Sequence, residues 1–179
     1  MKFINTQIQD VILIQPELIE DKRGFFMESY QIKKFKSNNI TSVFVQDNYV
    51  KSIKNTLRGL HFQYKFPQAK LIRCLKGSIF DVAVDLREHS PSFGKWFGTE
   101  LSENNKHQLF IPEGFAHGYC VLSDSAEITY KCSNIYYPEY ENGVIWDDKD
   151  LGIIWPIKKP ILSVKDSKLY KFKNLKKVF

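Results

Sequence analysis

Cysteine is scarce in this sequence, three residues in 179, and no two of them are spaced as CxxC. An odd number without framework spacing argues against a secreted disulfide scaffold, and the missing CxxC excludes a zinc ribbon or thioredoxin-type motif. Cys74, Cys120 and Cys132 are each expected to behave as small buried hydrophobes. Long apolar runs are also missing. The opening MKFINTQIQDVILIQP places Asn, Gln and Asp where a signal peptide needs its apolar region, and no stretch reaches the length of a membrane span. A soluble cytoplasmic protein with no membrane partner is the expectation. Helical periodicity is nearly absent too; one short helix is predicted over Gln31 to Asn39, with Ile32 and Phe35 on a common side.

What is present fits one folded domain over residues 1–179. Hydrophobic residues make up 43% and aromatics 15%, enough for a sizeable core at this length. The formal charge of +6 favours anionic partners. Much of the excess sits in the tail KLYKFKNLKKVF, within residues 167–179, which reads as a solvated lysine-rich end. It lacks the groove-reading element and aromatic interleaving of a nucleic-acid arm.

Short strands recur between Gly, Pro and Asn turns. Val11 to Ile14 is a brief apolar run closed by Pro16, and Asp21 to Gly24 carries turn chemistry. Lys70 to Leu75 and Ser78 to Leu86 read as two strands of a hairpin turning at Lys76-Gly77. In the second, Phe80, Val82, Val84 and Leu86 share one face, with Asp81 and Asp85 on the other. Ala126 to Ser133 alternates cleanly, which turns Ala126, Ile128, Tyr130 and Cys132 inward. In SVFVQDNYV, Gln46 and Asn48 share a side opposite Val45 and Asp47. Two neighbouring carboxamides suit a polar ring edge or sugar hydroxyls, and suit a solvated face equally well. This pattern predicts an all-β sandwich or barrel.

The chemistry concentrates in LRGLHFQYKFPQAKLIR, residues 57 to 73, where Arg58, His61 and Lys70 stand among apolar side chains. Apolar walls with a few converging ionisable groups make a small-molecule pocket. IPEGFAHG, residues 111 to 118, contains the PxGxxH spacing of the second metal motif of cupin-type jelly rolls. The expected partner HxH is broken to His61-Phe62-Gln63, so His61 and His117 fall short of a three-ligand site, and no metal or cofactor is expected. With no nucleotide loop and no Ser or Cys nucleophile constellation, proton transfer remains. A histidine suits a general base near neutral pH, a lysine can meet a developing oxyanion, and a phenol can return a proton. Arg58 and His61 have opposite parity on an ideal strand, so both can face a pocket only with a bulge or bend near Gly59.

RGFFMESY, VQDN, LRGLHFQ, KLIRCLKGSIFDVAVDLR, SPSFGKW, IPEGFAHG and LSVKD, in that order from about Val11 to Asp166, strongly resemble the dTDP-4-dehydrorhamnose 3,5-epimerase family. The resemblance implies a cupin-like β jelly roll with one or two short helices, a metal-free homodimer with N-terminal strands at its interface, and a dTDP-sugar substrate. It implies epimerisation of dTDP-4-dehydro-6-deoxyglucose at C3 and C5 on the way to dTDP-L-rhamnose. By resemblance His61 is the base, Asp166 its carboxylate partner, Tyr130 the acid and Lys70 the group facing the keto oxygen. Arg58 and His117 match positions at the sugar–diphosphate region; Gln46, Asp47, Asn48, Glu141 and Lys165 match further substrate contacts. Arg23 and Glu28 match residues lent to the neighbouring subunit's nucleotide site. Ile135 stands where several relatives carry an aromatic beside the base, a role open to Tyr136 or Tyr137. The alternatives are a C3-only or C5-only epimerase on a related nucleotide sugar, a non-catalytic sugar-nucleotide-binding cupin, and a metal-dependent cupin.

Overall fold

The computed structural model describes residues 1–175 and 179. Lys176, Lys177 and Val178 of the expected basic tail lie outside the described residues. Two antiparallel sheets face each other. One runs in the order β1 (Lys2–Asn5), β2 (Ile12–Gln15), β10 (Gln108–Ile111), β7 (Lys70–Lys76), β12 (Ser125–Cys132) and β5 (Gln46–Ile53). The other runs β13 (Glu141–Gly143), β6 (Leu57–Gln63), β11 (Phe115–Val121), β8 (Ser78–Asp85) and β9 (Trp96–Ser102). A separate hairpin, β3 (Ile19–Asp21) with β4 (Gly24–Phe26), turns at Lys22 and Arg23. The helix α1 (Ile32–Lys36) is capped by the Gln31 side chain and buries Phe35, while Ile32 stays exposed. This is the cupin-like jelly roll that the strand pattern and the resemblance lead one to expect.

The expected hairpin at Lys76-Gly77 is not formed. β7 and β8 belong to different sheets, and the chain crosses between them at Gly77, where φ is +74°. A Cβ there would lie 2.1 Å from the Ser125 carbonyl oxygen, so glycine lets the crossing pass close to the neighbouring backbone.

β8 is buried on both faces. Ile79 and Ala83 join Ile72, Leu109, Ile111, Val121, Ala126 and Ile128 in the core between the sheets. Val82, Val84 and Leu86 instead face outward, under Leu151, Trp155, Phe172, Leu175 and Phe179. The described C-terminal residues therefore form a strap packed over the five-stranded sheet, so the expected solvated end holds for the described lysines but not for Phe172, Leu175 and Phe179. The lysines at 168, 171 and 173 stay exposed while the rings between them dock. Asp148 ties the strap, accepting hydrogen bonds from the backbone N–H groups of Asp150, Leu151 and Phe172.

The parity conflict between Arg58 and His61 is resolved by a bulge. Tyr119 of β11 pairs with Arg58 and His117 pairs with His61, so three steps along β6 face two along β11. The extra length sits at Gly59 and Leu60, whose peptide bond is cis. Gly59 has φ +112°, and a Cβ on it would fall 2.6 Å from both the Gly118 Cα and the His117 carbonyl oxygen. Gly59→Ala should destabilise the fold by roughly 2–4 kcal/mol, combining backbone strain with a clash against backbone that cannot yield. A urea titration that placed the variant within 0.5 kcal/mol of the parent, roughly the level of a neutral surface change, would contradict this reading of the bulge.

Candidate active site

Between the sheets opens a cavity of about 460 Å³, lined by Arg58, His61, Lys70, His117, Tyr119, Tyr130, Glu141, Lys165 and Asp166 among others. A second space of about 340 Å³ shares His61, Lys70, Tyr130 and Glu141 with it and extends along Gln46, Asn48, Gln63, Gln68 and Tyr136. The two form one elongated cleft of the size that small-molecule sites occupy. Its walls differ in origin. His61, Arg58, His117 and Glu141 come from the five-stranded sheet, whereas Lys70, Tyr130, Gln46 and Asn48 come from the six-stranded one.

His61 is half-buried, and its Nε2 lies 2.7 Å from the Asp166 carboxylate. Asp166 arrives from the strap, where its backbone N–H donates to the Ser163 hydroxyl at 3.0 Å. Burial alone would raise the Asp166 pKa, but the hydrogen bond and charge of His61, with the Gly59 N–H and Ser163, bring it below the usual value. An ionised Asp166 fixes the ring and leaves Nδ1 as the other nitrogen. Nδ1 lies 3.7 Å from Glu141, whose second oxygen accepts from the Tyr136 hydroxyl at 2.6 Å and from Lys165.

On the opposite wall Tyr130 projects inward, as the alternation of β12 requires, and burial pushes its phenol up to about 12. It remains protonated across the physiological range and available as an acid. Lys70 stands opposite Cys132 in the β7–β12 register. Burial lowers its pKa from the ordinary lysine value, against the raising influence of Cys132, Glu141 and Asp81. Arg58 donates from Nε to Ser52 at 3.1 Å, and the Ser52 hydroxyl lies 3.4 Å from the Tyr119 hydroxyl, so a buried serine orients the guanidinium. Gln46 donates to Asn48 at 3.0 Å, and both face the cleft; the carboxamide pair does not lie on a solvated face.

His117 is buried with Nε2 2.9 Å from Asp81. Burial lowers its pKa, with Lys70 and His61 pushing the same way and Asp81 opposing; burial also lowers that of His107. The unfolded chain therefore takes up protons near the ordinary value of 6.5 that the folded chain refuses. Stability should be complete above that pH and decline as pH falls below it. Urea midpoints at neutral and mildly acid pH measure the decline, and His117→Asn should flatten it.

Three expected site residues stand elsewhere in this chain. Asp47 points to the outer face of the six-stranded sheet and pairs with Lys131 at 2.9 Å, because neighbours on a strand alternate. Arg23 lies at the turn of the exposed β3–β4 hairpin, paired with Asp21, and Glu28 pairs with Lys34; neither lines the cleft. Other contributors escaped the sequence reading. Asp81, Ser52 and Tyr119 sit in strands that look structural, although the parity of Asp81 with Ile79 and Ala83 was a usable signal. Gln63 holds the 133–140 loop by accepting from the Tyr137 N–H and donating to the Phe66 and Ile135 carbonyls, a link between distant segments with no sequence signature.

The family model described as dTDP-4-dehydrorhamnose 3,5-epimerase matches residues 5–174. This chain belongs to that family. It is 53% identical over 174 residues to the dTDP-4-dehydrorhamnose 3,5-epimerase of Shigella flexneri, covering 96% of both chains. The crystal structure of dTDP-6-deoxy-D-glucose-3,5-epimerase from Legionella pneumophila in complex with dTDP-4-keto-L-rhamnose superposes with a TM-score of 0.95 at 46% identity, over 98% of this chain and 94% of that one. A dTDP-4-dehydrorhamnose 3-epimerase of Streptomyces niveus is 38% identical, over 89% of this chain and 78% of its own. Membership in this family makes the protein an isomerase of the epimerase type.

Proposed function

We propose that this protein converts dTDP-4-dehydro-6-deoxy-D-glucose to dTDP-4-dehydro-L-rhamnose by inverting C3 and C5. The C4 ketone acidifies the neighbouring C–H bonds, since the carbanion is delocalised as an enolate. His61, oriented by Asp166, removes each proton from one face; Lys70 meets the enolate oxygen in a cleft that screens charge weakly; Tyr130 returns a proton to the other face. The observation that carries this reading is the split of the set between two walls, His61 on the five-stranded sheet and Tyr130 with Lys70 on the six-stranded one. Inversion needs base and acid on opposite faces of the ring, and one wall could not supply both. Arg58 suits the diphosphate, His117 lines the same cavity, and Gln46, Asn48 and Lys165 suit the remaining polar groups of the substrate. Incubation in heavy water tests the reading: deuterium is expected at both C3 and C5. Label at one carbon supports a mono-epimerase, and none at either leaves only a binding module.

The protein is further proposed to act as a homodimer in the cytoplasm. Ile19, Phe25 and Phe26 are exposed on the β3–β4 hairpin, and Val43, Val45, Tyr49 and Ile53 on and before β5, an apolar surface suited to a second copy. Dimerisation would also give Arg23 and Glu28 a nucleotide to contact, that of the neighbouring subunit. Light scattering should return twice the chain mass, and a fully active monomer would overturn the proposal. Three free, buried cysteines suit a reducing compartment.

A further inference from the structure

Two inversions by one base leave protons in the wrong places. After the first, His61 carries the proton taken from carbon and Tyr130 has given one up. A second inversion on the same bound sugar needs His61 neutral and Tyr130 protonated again. Asp166 is bound to Nε2, which leaves Nδ1 as the nitrogen open to receive the proton taken from carbon.

The group beside Nδ1 is Glu141, 3.7 Å away. Its side chain is largely buried on β13, and burial alone would raise its pKa. Lys165, Tyr136 and His61 outweigh that effect and bring it below the ordinary value, so at neutral pH it is an ionised acceptor. Lys70 and Tyr130 also feel its charge. Its far oxygen is held by Lys165 and by the Tyr136 hydroxyl, and both of those residues are exposed. Polar groups thus lead from the imidazole to water, with one gap of 3.7 Å between Nδ1 and the carboxylate.

We propose that Glu141 is the proton exit of His61 between the two inversions. The Nδ1 proton crosses the 3.7 Å gap to the near carboxylate oxygen through one water, and then leaves to water at the rim where Tyr136 and Lys165 emerge. The Tyr130 phenolate takes a proton from water in the cleft. One proton leaves and one enters, the imidazole and the phenol are both restored, and no redox partner is involved. Being a weaker base than imidazole, Glu141 holds the proton only transiently, which suffices for turnovers that take about a millisecond or longer. A carboxylate that merely touched the sugar would weaken substrate binding and the first inversion as well. A proton exit affects the second inversion selectively.

The inference rests on the double-epimerase reading, and the experiment separates the two. Wild type and Glu141→Gln are incubated with the dTDP-4-keto sugar in heavy water, and the first few per cent of product is analysed by mass spectrometry. In wild type, doubly deuterated sugar should dominate. In Glu141→Gln the ratio of doubly to singly deuterated sugar should fall by at least ~10-fold, with mono-epimerised sugar released, a loss comparable to removing a proton-transfer group. The ratio is independent of how much overall activity the variant retains. Should Glu141→Gln fail to fold, Tyr136→Phe keeps the ring, removes the outer hydroxyl of the chain, and should shift the ratio in the same direction. A wild-type ratio in the folded variant overturns the proton exit alone. Wild type that never places a second label overturns both the exit and the double-epimerase reading.

Discussion

Replacing His61 with alanine should lower turnover by at least ~10³-fold while dTDP affinity stays within about threefold, since a general base contributes ~10²–10⁴ and here serves two successive deprotonations. The two readouts separate because, in the proposed mechanism, His61 meets carbon while Arg58 holds the diphosphate. Asp166→Asn should cost less than His61→Ala: asparagine can still touch Nε2 but no longer stabilises the imidazolium. If His61→Ala kept more than a tenth of wild-type turnover, another group would have to be the base.

Lys70→Met should reduce kcat by ~10²–10³-fold, the usual loss when a donor to a developing oxyanion is removed. Methionine keeps most of the length and the apolar stem, so the change isolates the charge. The effect should appear in kcat more than in KM, because the enolate carries a full negative charge that the ketone does not. Burial lowers the lysine pKa, and only protonated lysine can stabilise the oxyanion. Turnover should therefore fall on the alkaline side at a lower pH than an ordinary lysine would dictate. Tyr130, pushed up to about 12, stays protonated through that range and does not account for such a limb. A Lys70→Met enzyme of wild-type kcat would remove lysine from the mechanism.

Much of this site was legible in the sequence because strand parity is a strict rule. Tyr130 faces inward in an unbroken alternation, and Gln46 and Asn48 fall together on the cleft side. Where alternation breaks, reading needs geometry: Arg58 and His61 reach the same cleft through a bulge that the sequence marks by Gly59 alone. Parity also explains the miss at Asp47, which the VQDN resemblance groups with two residues pointing the other way. The Lys76-Gly77 turn was misread because a glycine turn between two strands looks the same within one sheet or between two. The strap is legible only in part. Its lysines dominate the composition, while Phe172, Leu175 and Phe179 bind a sheet face that only the fold creates. Asp166 shares that dependence, since its approach to His61 spans 105 residues of sequence.

The claim beneath all of this is that base and acid stand on opposite walls, and the configuration of sugar recovered from Tyr130→Phe in heavy water tests it most directly. His61 still removes the proton there, exchanges it with solvent and returns deuterium to the face it came from. Magnetic resonance of the recovered sugar should show deuterium at C3 and C5 with the configuration unchanged. Labelled sugar of inverted configuration, formed at close to the wild-type rate, would contradict the placement of Tyr130 as the acid facing His61.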